Sequence, residues 1–206
     1  MRTLVIATGN AHKTVEIRQI LGENFSFRTV ADFPAAPAVV EDADTFEGNA
    51  AKKTQSLARW LPRNLVAADS YVLADDSGLE VDVLNGAPGV HSARFASGSA
   101  AASNSPDSAN IAKLLRLLDG VPPEKRTARF RCVLALCTLA DNAPFFFEGA
   151  CEGRITAAPT GSGGFGYDPI FVPEGYDRSF AELGESIKNK ISHRSRALEK
   201  LRQFLA

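Results

Sequence analysis

Asp75 and Asp76 stand side by side after the apolar run Tyr71 to Ala74. Two adjacent carboxylates repel each other and are costly to bury unless something offsets their charge. A Mg²⁺ ion is a natural compensator, because it takes hard oxygen ligands and bridges to substrate phosphates. Ser77 can donate to a phosphate, and Gly78 permits a tight turn at the end of the strand. An exposed acidic turn is the plainer alternative, and the acid-plus-metal reading leads it.

Four further segments carry chemistry of their own. Thr8-Gly9-Asn10-Ala11-His12-Lys13 reads as a strand that ends in glycine and feeds a helix. That turns free backbone N–H groups toward any bound anion. Lys13 falls in the first helical turn, where a cation opposes the macrodipole, so a phosphate opposite it would account for its place. An ordinary turn with a surface lysine explains these residues equally well, and the spacing of a Walker A loop is missing.

Acidic residues cluster at Glu41, Asp42, Asp44 and Glu47, where a helix start favours them. Asn49 and Lys53 share a helical face at i and i+4. On this segment alone a solvated surface is favoured over the polar wall of a cleft. Between Gly161 and Gly166, four glycines in six residues cost backbone entropy that a purely structural loop rarely needs. Flanked by glycine, Phe165 keeps a ring face open for stacking on a flat base; a glycine-rich hairpin with core aromatics is the alternative. Ser192 is the expected N-cap of the last helix, with His193 and Arg194 at its first two positions. A neutral imidazole and a planar guanidinium there can read the acceptor edge of a base, where a solvated basic helix start would not. Jointly, these segments describe a nucleoside triphosphate site.

The elements that must position these groups follow from the apolar pattern. Thr3 to Ala7 predicts a buried strand, followed by a helix with Ile17, Ile20 and Leu21 inward and Gly22 as its stop. Phe25 to Val30 predicts a second strand. Thr45 caps a helix running to Trp60 and ended by Pro62. Tyr71 to Ala74 is a strand entering the Asp75-Asp76-Ser77-Gly78 turn. Asp107 to Leu118 is an amphipathic helix closed by Gly120, and Arg126 to Leu139 and Phe145 to Thr156 are two long strands. The last helix buries Ala197, Leu198, Leu201 and Leu205. Helices alternate with strands while the central strands run consecutively, so the class is α/β with an elongated mixed sheet flanked by helices. Ala96 to Pro106 is small and polar, a surface loop and not a domain boundary.

Length and composition limit the alternatives. The 206 residues fit one large domain, or two lobes sharing one core. With 23 Lys and Arg against 24 Asp and Glu, the basic excess of a phosphate-neutralising nucleic-acid binder is absent. No apolar run approaches the roughly 20 residues that span a bilayer. The N-terminal run is too short for a secretory signal. Cys132, Cys137 and Cys151 are expected as reduced core thiols of a cytoplasmic protein. The offset of five sends Cys132 and Cys137 to opposite faces of one strand.

These segments, in this order, resemble the inosine/xanthosine triphosphate pyrophosphatases. The resemblance spans nearly the whole chain. It rests on Ala7 to Asn10 with Lys13 and Glu16, on Thr45-Phe46 with Asn49-Ala50 and Lys53, and on Ala74 to Leu79. It continues in Gly86 to Val90 with Ser92 to Arg94, in Gly163 to Phe171, and in Ser192 to Arg194. It implies two lobes around a central substrate cleft, a homodimer, and Mg²⁺-dependent hydrolysis of non-canonical purine triphosphates (ITP, dITP, XTP) to the monophosphate and pyrophosphate. By motif, Thr8, Gly9, Asn10, Lys13 and Lys53, with Ser77 beside them, would hold phosphates. Glu41 and Asp76 would bind Mg²⁺, and Asp76 would be the general base. Phe165 would stack on the base in a pocket shaped by Gly166, Tyr167 and Asp168, and Lys188, His193 and Arg194 would read the base edge.

Three features depart from the family pattern: a long connection from Trp60 to Ser70, His91 in place of a common tyrosine, and Ser195 in place of glycine. Two rivals remain, a pyrophosphatase for pyrimidine or modified-base triphosphates and a nucleotide-binding module without catalysis. The clustered Glu41, Asp75 and Asp76 argue against the module, since a pure binder has little use for negative charge beside a triphosphate.

Overall fold

The chain Thr3–Ile6 (β1) is apolar on both faces, and its last three residues are fully buried, as expected of an interior parallel strand. It pairs in parallel with β2 (Ser26–Thr29) through Leu4 and Phe27, and with β3 (Tyr71–Val81) through Leu4 and Tyr71. The computed structural model, which describes residues 2–61, 66, 67, 69–97 and 104–206, continues this sheet with β4 (Thr127–Thr138), β5 (Phe145–Ile155) and β6 (Phe171–Pro173). The order is β2-β1-β3-β4-β5-β6, and β5 meets β6 antiparallel, so the sheet is mixed, as the sequence predicts. Six helices accompany it among the described residues: α1 (Ala11–Leu21), α2 (Phe46–Trp60), α3 (Asp107–Leu117), α4 (Phe180–Leu183), α5 (Glu185–Ile191) and α6 (His193–Leu205). None of them is long and apolar enough to cross a membrane.

The chain divides into two compact units. The first comprises Met1–Asp76, Cys132–Gly149 and Arg196–Ala206, and the second Ser77–Arg131 and Ala150–Ser195. In the first unit, strand alternation sorts the core into two layers. Leu4, Ile6, Leu73, Cys132, Leu134 and Leu136 face Ile17 and Leu21 of α1 and the Ala197-Leu198-Leu201 stripe of α6. Val5, Ala7, Val72, Ala74 and Cys137 face the other way, toward Leu57 and Ala58 of α2 and Phe33. Cys132 and Cys137 therefore lie in opposite layers, as their spacing predicts, and all three cysteines are buried thiols outside any disulfide. The second unit is built around Leu79 and Val81 of β3, Phe130, Phe171, Phe180, and Ile111 and Leu114 of α3.

Several local predictions hold. Thr45 Oγ1 accepts from the Gly48 N–H at 3.0 Å and starts α2, and Ser192 Oγ accepts from the Ser195 N–H at 3.1 Å at the start of α6. One expectation is corrected. Asp75 to Gly78 is not a turn, because β3 runs unbroken through it to Val81. The chain turns after that, with Gly86 N–H bonded to the Val81 carbonyl. The two carboxylates are thus held mid-strand, on alternate faces. The apolar run that precedes them is only the first part of an eleven-residue strand. The helix end at Pro62 and most of the loop from Ala96 to Pro106 lie outside the described residues.

Candidate active site

Lys13 precedes Ile17 and Leu21 by four and eight residues, which places it on the buried stripe of α1. Lys53 likewise belongs to the stripe of α2 that buries Phe46, Ala50, Thr54 and Leu57. Helical spacing therefore carries both ammonium groups inward, and the solvated surface favoured for Lys53 from its own segment is not what forms. Since α1 and α2 cover opposite layers of the first unit, each lysine meets one member of the carboxylate pair. Lys13 Nζ lies 2.5 Å from Asp75 Oδ1. Lys53 Nζ lies 2.9 Å from Asp76 Oδ1, 2.8 Å from Glu41 Oε2 and 2.9 Å from the Asp75 carbonyl oxygen.

The loop that brings Glu41 here is fixed by Asn49. Its buried side chain accepts from the Ala43 N–H at 3.0 Å and donates to the Ala43 carbonyl at 3.3 Å. Thr8 Oγ1 accepts from the Asn10 N–H, and Asn10 Oδ1 from the Lys13 N–H, so the first strand-to-helix turn is capped from within. Thr8 and Gly9 line one cavity of about 340 Å³ together with Glu41 and Lys53, with Phe33 and Leu57 on its apolar side.

These surroundings separate the carboxyl groups. Burial pushes Asp76 up to about 6, and the Lys53 and Lys13 ammonium groups pull it back only in part. Glu41 is half-buried, and although burial raises it, the charge and hydrogen bond of Lys53 together with Asp76 and Lys13 hold it below the usual carboxylate range. For Lys53 the balance is reversed: burial alone would lower it, and the Asp76 and Glu41 charges raise it above its ordinary value. Asp76 Oδ2 is buried and has no hydrogen-bond partner among the described residues. An open carboxylate oxygen beside a second carboxylate suits Mg²⁺, which is held by one or two such groups and completes its shell with waters and phosphate oxygens. The residues present fit that ion.

The second unit holds the other predicted residues. Lys188 of α5 and Asp168 form a buried ion pair at 2.6 Å, and Asp168 Oδ2 also accepts from the Phe165 N–H at 2.9 Å. The Lys188 ammonium lies 4.3 Å from the Phe165 ring centre, and the Arg194 guanidinium carbon 5.9 Å from it. Arg194 is buried and donates to Ser77 Oγ at 3.3 Å. His193 is buried as well and stacks on Phe130, with ring centres 4.8 Å apart. Tyr167 spends its hydroxyl on the Ser92 carbonyl at 2.9 Å, and burial pushes that phenol far up, so it stays a neutral donor.

One residue of this unit is not legible as a site residue, and one glycine of the predicted loop gains a specific reason. Asp107, the first residue of α3, accepts from the Gly166 N–H at 2.6 Å and pins the glycine-rich loop. In sequence it looks like any acid in a first helical turn. Gly164 has φ +74°, and a Cβ there would collide with the Asp168 carboxylate, so the loop needs this glycine for both conformation and space.

The model of the Ham1 family matches residues 4–204. The chain belongs to the Ham1 family. A curated Ham1 relative from Shouchella clausii, named dITP/XTP pyrophosphatase, is 47% identical over 205 residues, covering 100% of this chain and 97% of its own. One from Opitutus terrae with the same name is 46% identical, over 98% of this chain and 97% of its own. Among solved structures, a HAM1 protein from Coxiella burnetii superposes with a TM-score of 0.82 at 38% identity, covering 100% of this chain and 98% of that one. A Mycobacterium abscessus structure, titled nucleoside-triphosphatase / dITP/XTP pyrophosphatase, gives 0.74 at 37% identity, with coverage of 97% and 98%. The Ham1 match spans both units, so the Lys13–Lys53 cluster and the Phe165–Lys188 cluster both fall within it.

Proposed function

We propose that this chain hydrolyses non-canonical purine nucleoside triphosphates (dITP, ITP and XTP) to the monophosphate and pyrophosphate with Mg²⁺, removing damaged nucleotides from the precursor pool. The names of its relatives support the reaction class and the substrates. The observation that carries the proposal in this chain is the Lys53 ammonium held between Glu41 and Asp76, with one buried Asp76 oxygen left open.

In this reading the triphosphate is the ligand of Lys13, Lys53 and the Thr8-Gly9-Asn10 turn, with Ser77 donating beside them. Mg²⁺ held by Glu41 and Asp76 would supply positive charge to the phosphate oxygens. One water cleaves the α–β anhydride: its oxygen stays on the monophosphate side and pyrophosphate leaves. Asp76 accepts the proton of that water; its burial raises it above an ordinary carboxylate and works against the lowering that Mg²⁺ would bring. Asp75 is a poor alternative, because its side chain has no exposed surface and one oxygen is engaged by Lys13. The two lysines offset the charge that grows on the leaving pyrophosphate.

The purine is the ligand of the second cluster, stacked on Phe165 in a pocket shaped by Gly166, Tyr167 and Asp168. The 6-oxo group of hypoxanthine and xanthine accepts from Lys188, His193 or Arg194, whereas adenine turns an amino donor toward the same donors. Setting that amino donor against a buried donor loses one hydrogen bond and costs about 1–3 kcal/mol, enough to select against ATP. The proposal includes a homodimer and a cytoplasmic setting, in keeping with the buried thiols, and no nucleic-acid partner, in keeping with the balanced charge.

The test is pyrophosphate release from ITP, XTP, dITP, ATP, GTP and dTTP with Mg²⁺ or EDTA, for wild type and Asp76→Asn. Metal-dependent release that favours ITP or XTP and is lost in the variant is expected. Equal turnover of ATP would refute the base selection, and binding without release would refute the catalysis.

A further inference from the structure

Asp75 is a carboxylate buried without any exposed surface, and the proposed reaction does not use it. Its Oδ1 accepts from Lys13 Nζ, its backbone carbonyl accepts from Lys53 Nζ at 2.9 Å and Lys13 Nζ at 3.5 Å, and its Oδ2 accepts from the Cys132 thiol at 3.3 Å. One residue thus touches both lysines of the proposed phosphate site, and the thiol holds the second oxygen of its carboxylate. Cys132 comes from β4, the next strand in the sheet, and is itself fully buried in the layer packed by α1.

We propose that Cys132 is a positioning residue for Lys13, acting through Asp75. A carboxylate can rotate about its Cα–Cβ and Cβ–Cγ bonds. The S–H···Oδ2 bond opposes that rotation and keeps Oδ1 turned toward the Lys13 ammonium. A thiol is a weak donor, so it restrains the carboxylate without drawing its charge away from the lysine as a second cation would. The same arrangement gives Asp75 a role distinct from that of Asp76: one carboxylate orients the phosphate-binding cation, and the neighbouring one lies between Lys53 and an open oxygen of its own.

This inference rests on the proposed hydrolysis for its kinetic readout, and a spectroscopic readout keeps the two separable. Cys132→Ala and Cys132→Val remove the donor, the second while filling the volume, and Cys132→Ser restores a donor. Cys137→Ala is the control, a buried cysteine of the same strand in the opposite layer. Lys13 contributes to charge offset in the transition state, so loss of the donor is expected to lower kcat about tenfold with KM changed less than about threefold. Cys132→Ser should recover to within about threefold of wild type, and in a Lys13→Met background Cys132→Val should cost nothing further. The Lys13 ¹³Cε resonance should move in Cys132→Val but stay in place in Cys132→Ser and Cys137→Ala.

Equal losses in the serine and valine variants, tracking their melting temperatures, would overturn the proposal in favour of packing. So would an unchanged kcat in Cys132→Val, or the same loss in the Lys13→Met background. Should wild type release no pyrophosphate, the proposed function fails by itself, and an unmoved Lys13 resonance in Cys132→Val would then overturn this inference separately.

Discussion

The Lys188 ammonium sits 2.6 Å from Asp168 Oδ2, and neither side chain has appreciable contact with solvent. Such a pair adds little net stability relative to an apolar pair, but removing one partner strands the other charge. Asp168→Ala is therefore expected to cost about 3–5 kcal/mol in urea denaturation. It should also weaken purine binding, because Asp168 holds the Phe165 N–H as well. A loss below about 1 kcal/mol would mean that water reaches Lys188 in the folded chain.

Lys53 is flanked by two carboxylates, so its removal does more than delete a phosphate contact. In Lys53→Met, Glu41 and Asp76 lose their shared counter-charge, and Asp76 should move further above its present value. A fall in kcat/KM of more than about a hundredfold is expected in steady-state pyrophosphate release, the range seen when a single preorganised charge is removed. The corresponding Lys13→Met should be milder, because Lys13 pairs with Asp75 and acts on Asp76 and Glu41 only by longer-range attraction.

Acid should oppose metal binding. Burial, partly offset by Lys53, sets Asp76 near 6 in the metal-free protein, above its ordinary 3.8, so the folded chain holds this proton more tightly than the unfolded one. Its contribution to stability is present at low pH and lost as pH rises from about 4 through 6. Mg²⁺ competes with that proton, and calorimetry should find its affinity about fourfold lower at pH 5.5 than at pH 7.5. An affinity that ignores pH over this range would remove Asp76 from the ligand set.

Asn49 touches no proposed ligand, yet it clamps the backbone at Ala43, two residues from Glu41. Asn49→Ala should weaken Mg²⁺ binding about tenfold, as outer contacts that orient a metal ligand commonly do. Asn49→Asp keeps the acceptor for the Ala43 N–H and should lose less.

Thiol chemistry offers an independent check on the core. Burial, reinforced by Asp141, pushes the Cys137 thiol up to about 11, and all three cysteines are buried. Iodoacetamide at pH 8 should leave the native chain unmodified by mass spectrometry and label all three cysteines in guanidinium.

Local chemistry in the sequence was a good guide wherever one element sufficed. Thr45 and Ser192 are caps because their hydroxyls reach an N–H three residues on, and Leu4-Val5-Ile6 is a strand buried on both faces because neither face is polar. The reading failed where the partner lay far along the chain. Asp75 and Asp76 resembled a turn because their compensating lysines are 62 and 23 residues away. Lys188 itself is named by the resemblance, but its ion pair with Asp168, 20 residues distant, is not, since the seven-residue helix α5 is too short to show a periodic apolar face. Nothing near Cys132 announces Asp75, 57 residues before it.

Gly164 gives the second unit an unusual kind of vulnerability. Any side chain there lands on the Asp168 carboxylate, so the smallest possible change, one methyl group, disturbs the same oxygen that holds Lys188 and the Phe165 N–H. A Gly164→Ala allele would look conservative and contact no nucleotide. It would nonetheless resemble the loss of a charged residue in its effect, which makes this position one where variant severity follows from what the backbone leans against and not from the chemistry of the substitution.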